Sequence, residues 1–225
     1  MSNQPKESAI APGLRAIRDH LRPFLAIQFC VFLVVLAYYS LPGFQQWSAS
    51  LAKIKLQGGL PFVFVSTALA GVALPEIFKR LTRDPRVLPW RELAFNALIF
   101  GFNGIVVDLF YRGQGLLFGT EPTLSNVVIK VAVDQLFGSP FIFCPYFLLL
   151  MLWFRSGFNL AALRENLRRR PFSQQLWPIL VVNWAYWVPA LCGIYAMPSD
   201  LQFVLFLFVE AAWSLILVHV TKRHA

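Results

Sequence analysis

The residues of this sequence best placed to do chemistry are two opposite charges set deep in an apolar run, Lys130 and Asp134. Four positions apart on a helix, they share one face and lie within reach of each other. Gln135 follows directly, and Glu210 falls near the middle of another apolar run. A charge at the centre of a bilayer costs at least about 2.5–3.5 kcal/mol on insertion scales, so its retention implies a partner or a wet cavity. Two readings therefore stand: a structural pair inside a helical bundle, or the lining of a solute pathway. Asn96 and Asn103, seven apart on one face, carry the same alternatives as interhelical hydrogen bonds or as a polar lining. Asp108 and His219 sit close to the ends of their runs.

Signatures of catalysis are missing. His20, His219 and His224 are the histidines, and none lies near a plausible nucleophile or a second ligand. No H-E-x-x-H, G-x-S-x-G or phosphate-cradling glycine loop occurs. Cys30, Cys144 and Cys192 are far apart inside apolar stretches, without C-x-x-C spacing, and read as small buried hydrophobes rather than metal ligands. The expectation is a protein without enzyme activity, metal or cofactor.

The elements that must hold these residues follow from composition. Of 225 residues, 57% are hydrophobic and 14% charged, against about 25% charged in soluble domains. Continuous apolar stretches run at 24–41, 60–78, 93–110, 124–153, 176–196 and 201–220. Each approaches or exceeds the ~20 residues that span a hydrocarbon core as a helix. The stretches do not alternate, which excludes barrel strands. The fold class is thus an all-α polytopic transmembrane bundle of about six spans. A basic arm, 1–23, precedes one helical membrane domain, 24–225. In the long fourth stretch, Pro140 and Pro145 remove the donors that an α-helix would aim at the carbonyls of Leu136 and Phe141, predicting a kink.

The net charge of +9 does not point to nucleic acid, because the basic residues cluster between apolar runs and no recognition motif accompanies them. Sixteen Lys and Arg fall in the N-terminal arm, the segments after the second and fourth stretches, and the tail; Lys53, Lys55 and Arg112 fall on the other side. This asymmetry places both termini on the cytoplasmic or matrix side and supports an even number of spans. No cleavable signal peptide is expected, and Glu7 and Asp19 argue against reading the arm as an organelle-targeting segment.

Two connecting segments read as interfacial helices. Residues 44–57 align Phe44, Trp47, Leu51 and Ile54, and residues 158–170 align Leu160, Leu163 and Leu167 beside Arg164, Arg168 and Arg169, with Arg170 following. The second suits a headgroup plane of anionic lipid. Small residues, Ala94, Ala97, Gly101 and Gly104 in the third stretch and Ser66, Thr67, Ala70 and Gly71 in the second, mark packing stripes.

Several of these residues carry a family resemblance. The run G-F-N-G-I-V-V-D-L-F-Y at 101–111, Lys130 with Asp134-Gln135 and Pro140, Trp177-Pro178, and Val188-Pro189 together resemble the Mpv-seventeen/peroxisomal membrane protein (PMP-twenty-two) family. The likeness covers about 60–220, leaving 24–41 as an extra N-terminal span. Ile105 stands where the family usually has proline, so the chain resembles a divergent member, bacterial or organellar. The resemblance implies an integral protein of a bacterial inner, mitochondrial inner or peroxisomal membrane, associated with permeability and metabolite homeostasis. The leading expectation is a channel-like or permeability-modulating protein for small solutes, with Lys130, Asp134, Gln135 and Glu210 lining its interior. The alternative is a non-conducting membrane scaffold or assembly factor. Membrane lipids, small solutes and a second copy of the chain are the partners considered.

Overall fold

A computed structural model describes residues 10–85 and 87–221. Lys6, Glu7, Arg86, Lys222, Arg223 and His224 lie outside the described residues, as does the side chain of His219. Among the described residues every regular element is helical. The helices are α1 (Ala11–Ser40), α2 (Pro42–Ala68), α3 (Leu74–Leu81), α4 (Trp90–Phe118), α5 (Leu124–Val133), α6 (Cys144–Arg155), α7 (Leu160–Arg169), α8 (Phe172–Tyr195) and α9 (Ser199–Thr221). Segments of wider π-helix, Leu69–Ala73 and Asp134–Phe143, join α2 to α3 and α5 to α6.

Five stretches are long and apolar enough to cross a membrane: Leu21–Ser40, Pro42–Leu81, Trp90–Phe118, Leu124–Arg155 and Phe172–Tyr195. The sixth stretch expected from the sequence is α9, with 23 residues. The surface these helices expose is the reverse of a soluble protein's. Phe29 (61% exposed), Phe102 (58%) and Phe141 (70%) stand outward, whereas Lys130 (1%) and Asp108 (1%) are enclosed. Outward apolar side chains along several spans, with ionisable groups inside, meet hydrocarbon rather than water. The chain is an integral membrane protein.

Helix boundaries differ from the expected ones in two informative places. The third span reaches Phe118 rather than residue 110, which carries Asp108 into the interior of α4. In α2, Gly59 leaves helical geometry (φ 52°, ψ −145°). Glycine tolerates that left-handed φ because it lacks a Cβ. The break separates the segment read as interfacial, 44–57, from the span that follows. However, Ser48, Ala52 and Lys55 of that segment are buried, so one side of it packs on protein. Lys55 is an interior residue, not the loop charge that its position suggested.

The helices group into two compact units. Among the described residues, 10–22 and 132–189 form one; 23–131 and 190–221 form the other. In the first, Gly13 of α1 sits against α8, where an added Cβ would lie 2.9 Å from the Pro178 carbonyl oxygen. The second is built on contact of α2 and its π segment with α4. Gly104 admits Thr67, Gly101 admits the Phe64 ring and Gly71 admits the Phe100 ring. Without a hydrophobic drive between helices in lipid, such close approach is what supplies packing energy.

The same glycines supply a test. A methyl at residue 104 would fall 2.1 Å from the Thr67 Oγ1, whereas one at 113, on the same helix, meets nothing within 4 Å. Gly104→Ala should lower stability by about 1–3 kcal/mol through overpacking. Gly113→Ala should leave it unchanged or raise it by about 0.5–1 kcal/mol. Thermal unfolding in detergent compares the two, and equal behaviour would remove the packing role of Gly104.

Candidate functional site

The polar interior of the first unit begins with a backbone problem. In the π segment Asp134–Phe143, a carbonyl accepts from the amide five residues on, as the Cys144 N–H bonded to the Ser139 oxygen shows. In that register the amide due to the Gln135 carbonyl belongs to residue 140, which is proline and has none. The Trp184 indole Nε1–H of α8 donates to that carbonyl at 2.8 Å. Proline therefore orphans Gln135 rather than Leu136, and the shift from α to π register is the reason. Pro145 is the second residue of α6, and because the π segment runs directly into that helix its missing amide takes a donor from a preceding carbonyl there too.

Around this bond the side chains close into a network. Gln135 Nε2 donates to Asp134 Oδ1 at 2.7 Å. Asn183 Nδ2 donates to Gln135 Oε1 at 3.2 Å and to Ser139 Oγ at 3.0 Å. Asp134, Gln135 and Ser139 are all buried. Lys130, also buried, is assigned to the second unit.

The second unit holds an ionic cluster. Lys55 Nζ lies 2.7 Å from Asp108 Oδ1 and 5.6 Å from the centroid of the Phe203 ring. Arg112, one turn along α4, brings Nη2 to 2.7 Å from Asp108 Oδ2. That second approach is Coulombic contact without an aligned N–H, since Oδ2 accepts no hydrogen bond. Asp108 is 1% exposed and the Arg112 side chain 51%, so one cation is enclosed with the carboxylate while the other reaches outward. Along the same buried face of α4, the Tyr111 ring meets those of Tyr195 and Phe206, and Gln114 Nε2 contacts the Tyr195 hydroxyl at 2.6 Å. Elsewhere in this unit, the buried Glu76 pairs with Lys79 and accepts the Leu88 backbone N–H at 3.0 Å, tying down the segment between α3 and α4.

The sequence-derived residues are thus distributed rather than gathered. Asp134 and Gln135 meet each other, and Gln135 also meets Asn183. Glu210 is buried in α9 of the second unit. Asn96 and Asn103 are half-buried on α4, and the Asn96 Oδ1 lacks a hydrogen-bond partner. Arg164, Arg168, Arg169 and Arg170 are exposed on and beside α7. Sequence reasoning missed Lys55, Glu76, Ser139 and the donors Asn183 and Trp184. Asp108 and Arg112 carried a usable signal, an i,i+4 pair of opposite charges, but nothing local pointed from them to Lys55.

Comparison with known proteins adds one similarity. Over 101 residues the chain is 32% identical to Protein SYM1 of Saccharomyces cerevisiae, which covers 43% of this chain and 46% of that relative. The match therefore spans about half the length of the curated relative. No family model and no solved structure matches.

The Trp184 bond gives a direct prediction. Trp184→Phe keeps an aromatic ring but leaves the enclosed Gln135 carbonyl without a donor, and should cost about 1–3 kcal/mol. In a Pro140→Ala background residue 140 regains its amide, so the same change should cost markedly less. A double-mutant cycle of unfolding free energies tests this coupling; strictly additive effects would reject it.

Proposed function

We propose that this integral membrane protein carries or modulates the passage of small solutes, as a distant member of the Mpv-seventeen/peroxisomal membrane protein family in an organelle or bacterial inner membrane. The observation that carries the reading is the enclosure of Lys55, Glu76, Asp108, Lys130, Asp134 and Glu210 within membrane helices, each no more than 5% exposed. Ionisable groups at membrane depth are costly and mark pathways or their counter-charges. Lys55, Asp108, Glu76 and Asp134 have partners described above. Lys130 and Glu210, both of the second unit, are the residues we assign to the polar lining. The K-x-x-x-D-Q-x-x-x-x-P residues and the similarity to Protein SYM1 support the family assignment. The reading assigns no catalytic step and no cofactor.

A second reading is favoured by one observation, the closure of Asp134, Gln135, Ser139 and Asn183 into mutual hydrogen bonds. A satisfied buried network specifies packing, which suits a non-conducting scaffold.

Reconstitution separates the two. Liposomes carrying the purified, correctly inserted chain should release entrapped polar solutes and conduct above protein-free vesicles. Lys130→Met should alter solute or ion preference while the midpoint of thermal unfolding stays close to that of the parent. A folded, inserted protein that passes nothing across a graded solute panel would establish the scaffold instead.

A further inference from the structure

The segment after α6 is built to hold a short helix in a fixed attitude. At the end of α6, Gly157 (φ 62°) and Phe158 (φ 61°) both enter the left-handed region. Gly157 N–H bonds to the Phe154 oxygen at 2.9 Å and Phe158 N–H to the Trp153 oxygen at 3.0 Å. This is the bonding pattern of a Schellman stop, and its usual apolar contact is present. The Phe158 ring packs edge-on against Trp153 (5.0 Å) and Phe154 (5.7 Å). The Asn159 side chain then caps α7, accepting from the Ala161 and Ala162 amides at 2.8 and 3.2 Å. At the far end, Gln175 donates to the Arg170 carbonyl at 2.7 Å and to Asn166 Oδ1 at 3.3 Å.

Both ends of α7 are therefore secured, yet none of its residues is buried. Leu160 is 60% exposed, and Leu163 and Leu167 are half-buried. A helix of 10 residues has little stability of its own, so something outside the described fold must complete its environment. Its faces say what that is. At about 100° per residue, Leu163 and Leu167 lie about 60° and 20° to one side of Leu160, and Arg164 and Arg168 about 40° and 80° to the other. Glu165 and Arg169 lie about 140° and 180° away, and they pair with each other at 2.8 Å. The apolar stripe thus has along one edge two guanidinium groups that form no ion pair among the described residues, while the neutralised pair points away from it.

From this geometry we infer that α7 lies in the headgroup layer and binds anionic phospholipid, with Arg164 and Arg168 on the lipid phosphates and Leu160 toward the acyl chains. Guanidinium presents a planar fork that matches phosphate oxygens, and a leucine stripe beside it sets the depth. Arg169, held by Glu165 on the opposite face, takes no part. The inference concerns lipid alone and stands whether or not the chain conducts solutes.

The test uses the full chain in nanodiscs, reading hydrogen exchange of the α7 amides by mass spectrometry. Replacing part of the phosphatidylcholine by phosphatidylglycerol should slow that exchange. Arg164→Gln or Arg168→Gln should each reduce the response about fivefold, the value of one basic residue at an anionic surface. Arg169→Gln, the same change in charge, should leave it intact. Inorganic phosphate added to phosphatidylcholine discs should give no protection. Protection that ignores phosphatidylglycerol, that falls equally in Arg169→Gln, or that free phosphate reproduces would each overturn the assignment.

Discussion

Hydrocarbon supplies neither a hydrogen-bond donor nor an acceptor, so each polar group that the chain carries to membrane depth needs a protein partner or a wet cavity. The Gln135 carbonyl shows how far that requirement reaches. Its amide partner is removed by Pro140, and a tryptophan nearly fifty residues later, Trp184, supplies the missing donor at 2.8 Å. That bond helps fix where α8 lies along the widened segment of the same unit. Asn183, the adjacent residue, then falls within reach of Gln135 and Ser139. One orphaned carbonyl thus organises a neighbouring helix and the network beside it.

The second unit meets the same constraint with charge. Asp108 on α4 has Lys55 from α2 against one oxygen and Arg112 against the other. Stranding a buried carboxylate by removing its partners costs far more than the pair itself contributes, so the arrangement of α2 and α4 is tied to these contacts. The approach of those helices is set by Gly71, Gly101 and Gly104, each of which has a neighbouring side chain where a Cβ would stand. Close packing and charge pairing reinforce each other here. The glycines bring the helices together, and the ion pairs penalise sliding one along the other.

How much of this was legible in the sequence depended on the range of the interaction. Continuous apolar runs declared the spans, because a membrane helix must be apolar over its whole length. The small-residue stripe declared Gly101 and Gly104 as contact points, because glycine has few other uses inside a membrane helix. Lys130 and Asp134 were visible as buried charges, and both are buried. The donors Asn183 and Trp184 are separated from Gln135 by more than forty residues, so no local pattern announces them. Lys55 was misplaced for a related reason. Beside Lys53 and ahead of two glycines it reads as a loop charge, and only the approach of α4 reveals its carboxylate partner.

The distribution of satisfied and unsatisfied groups bears on what the fold is for. Around Gln135 the polar side chains are matched by hydrogen bonds, and around Asp108 the carboxylate is matched by charge. Lys130 and Glu210 are buried as well, and among the described residues neither forms an ion pair. A cation and a carboxylic acid kept in such positions represent a standing cost to insertion that apolar residues of similar size would not carry. Packing gives no return for that cost, because leucine or methionine fills the same volume. Water or a polar solute at those side chains would give one, since it restores the solvation that hydrocarbon denies. On the proposed reading, the matched clusters act as the rigid frame, and Lys130 and Glu210 as the groups that water or a solute would contact.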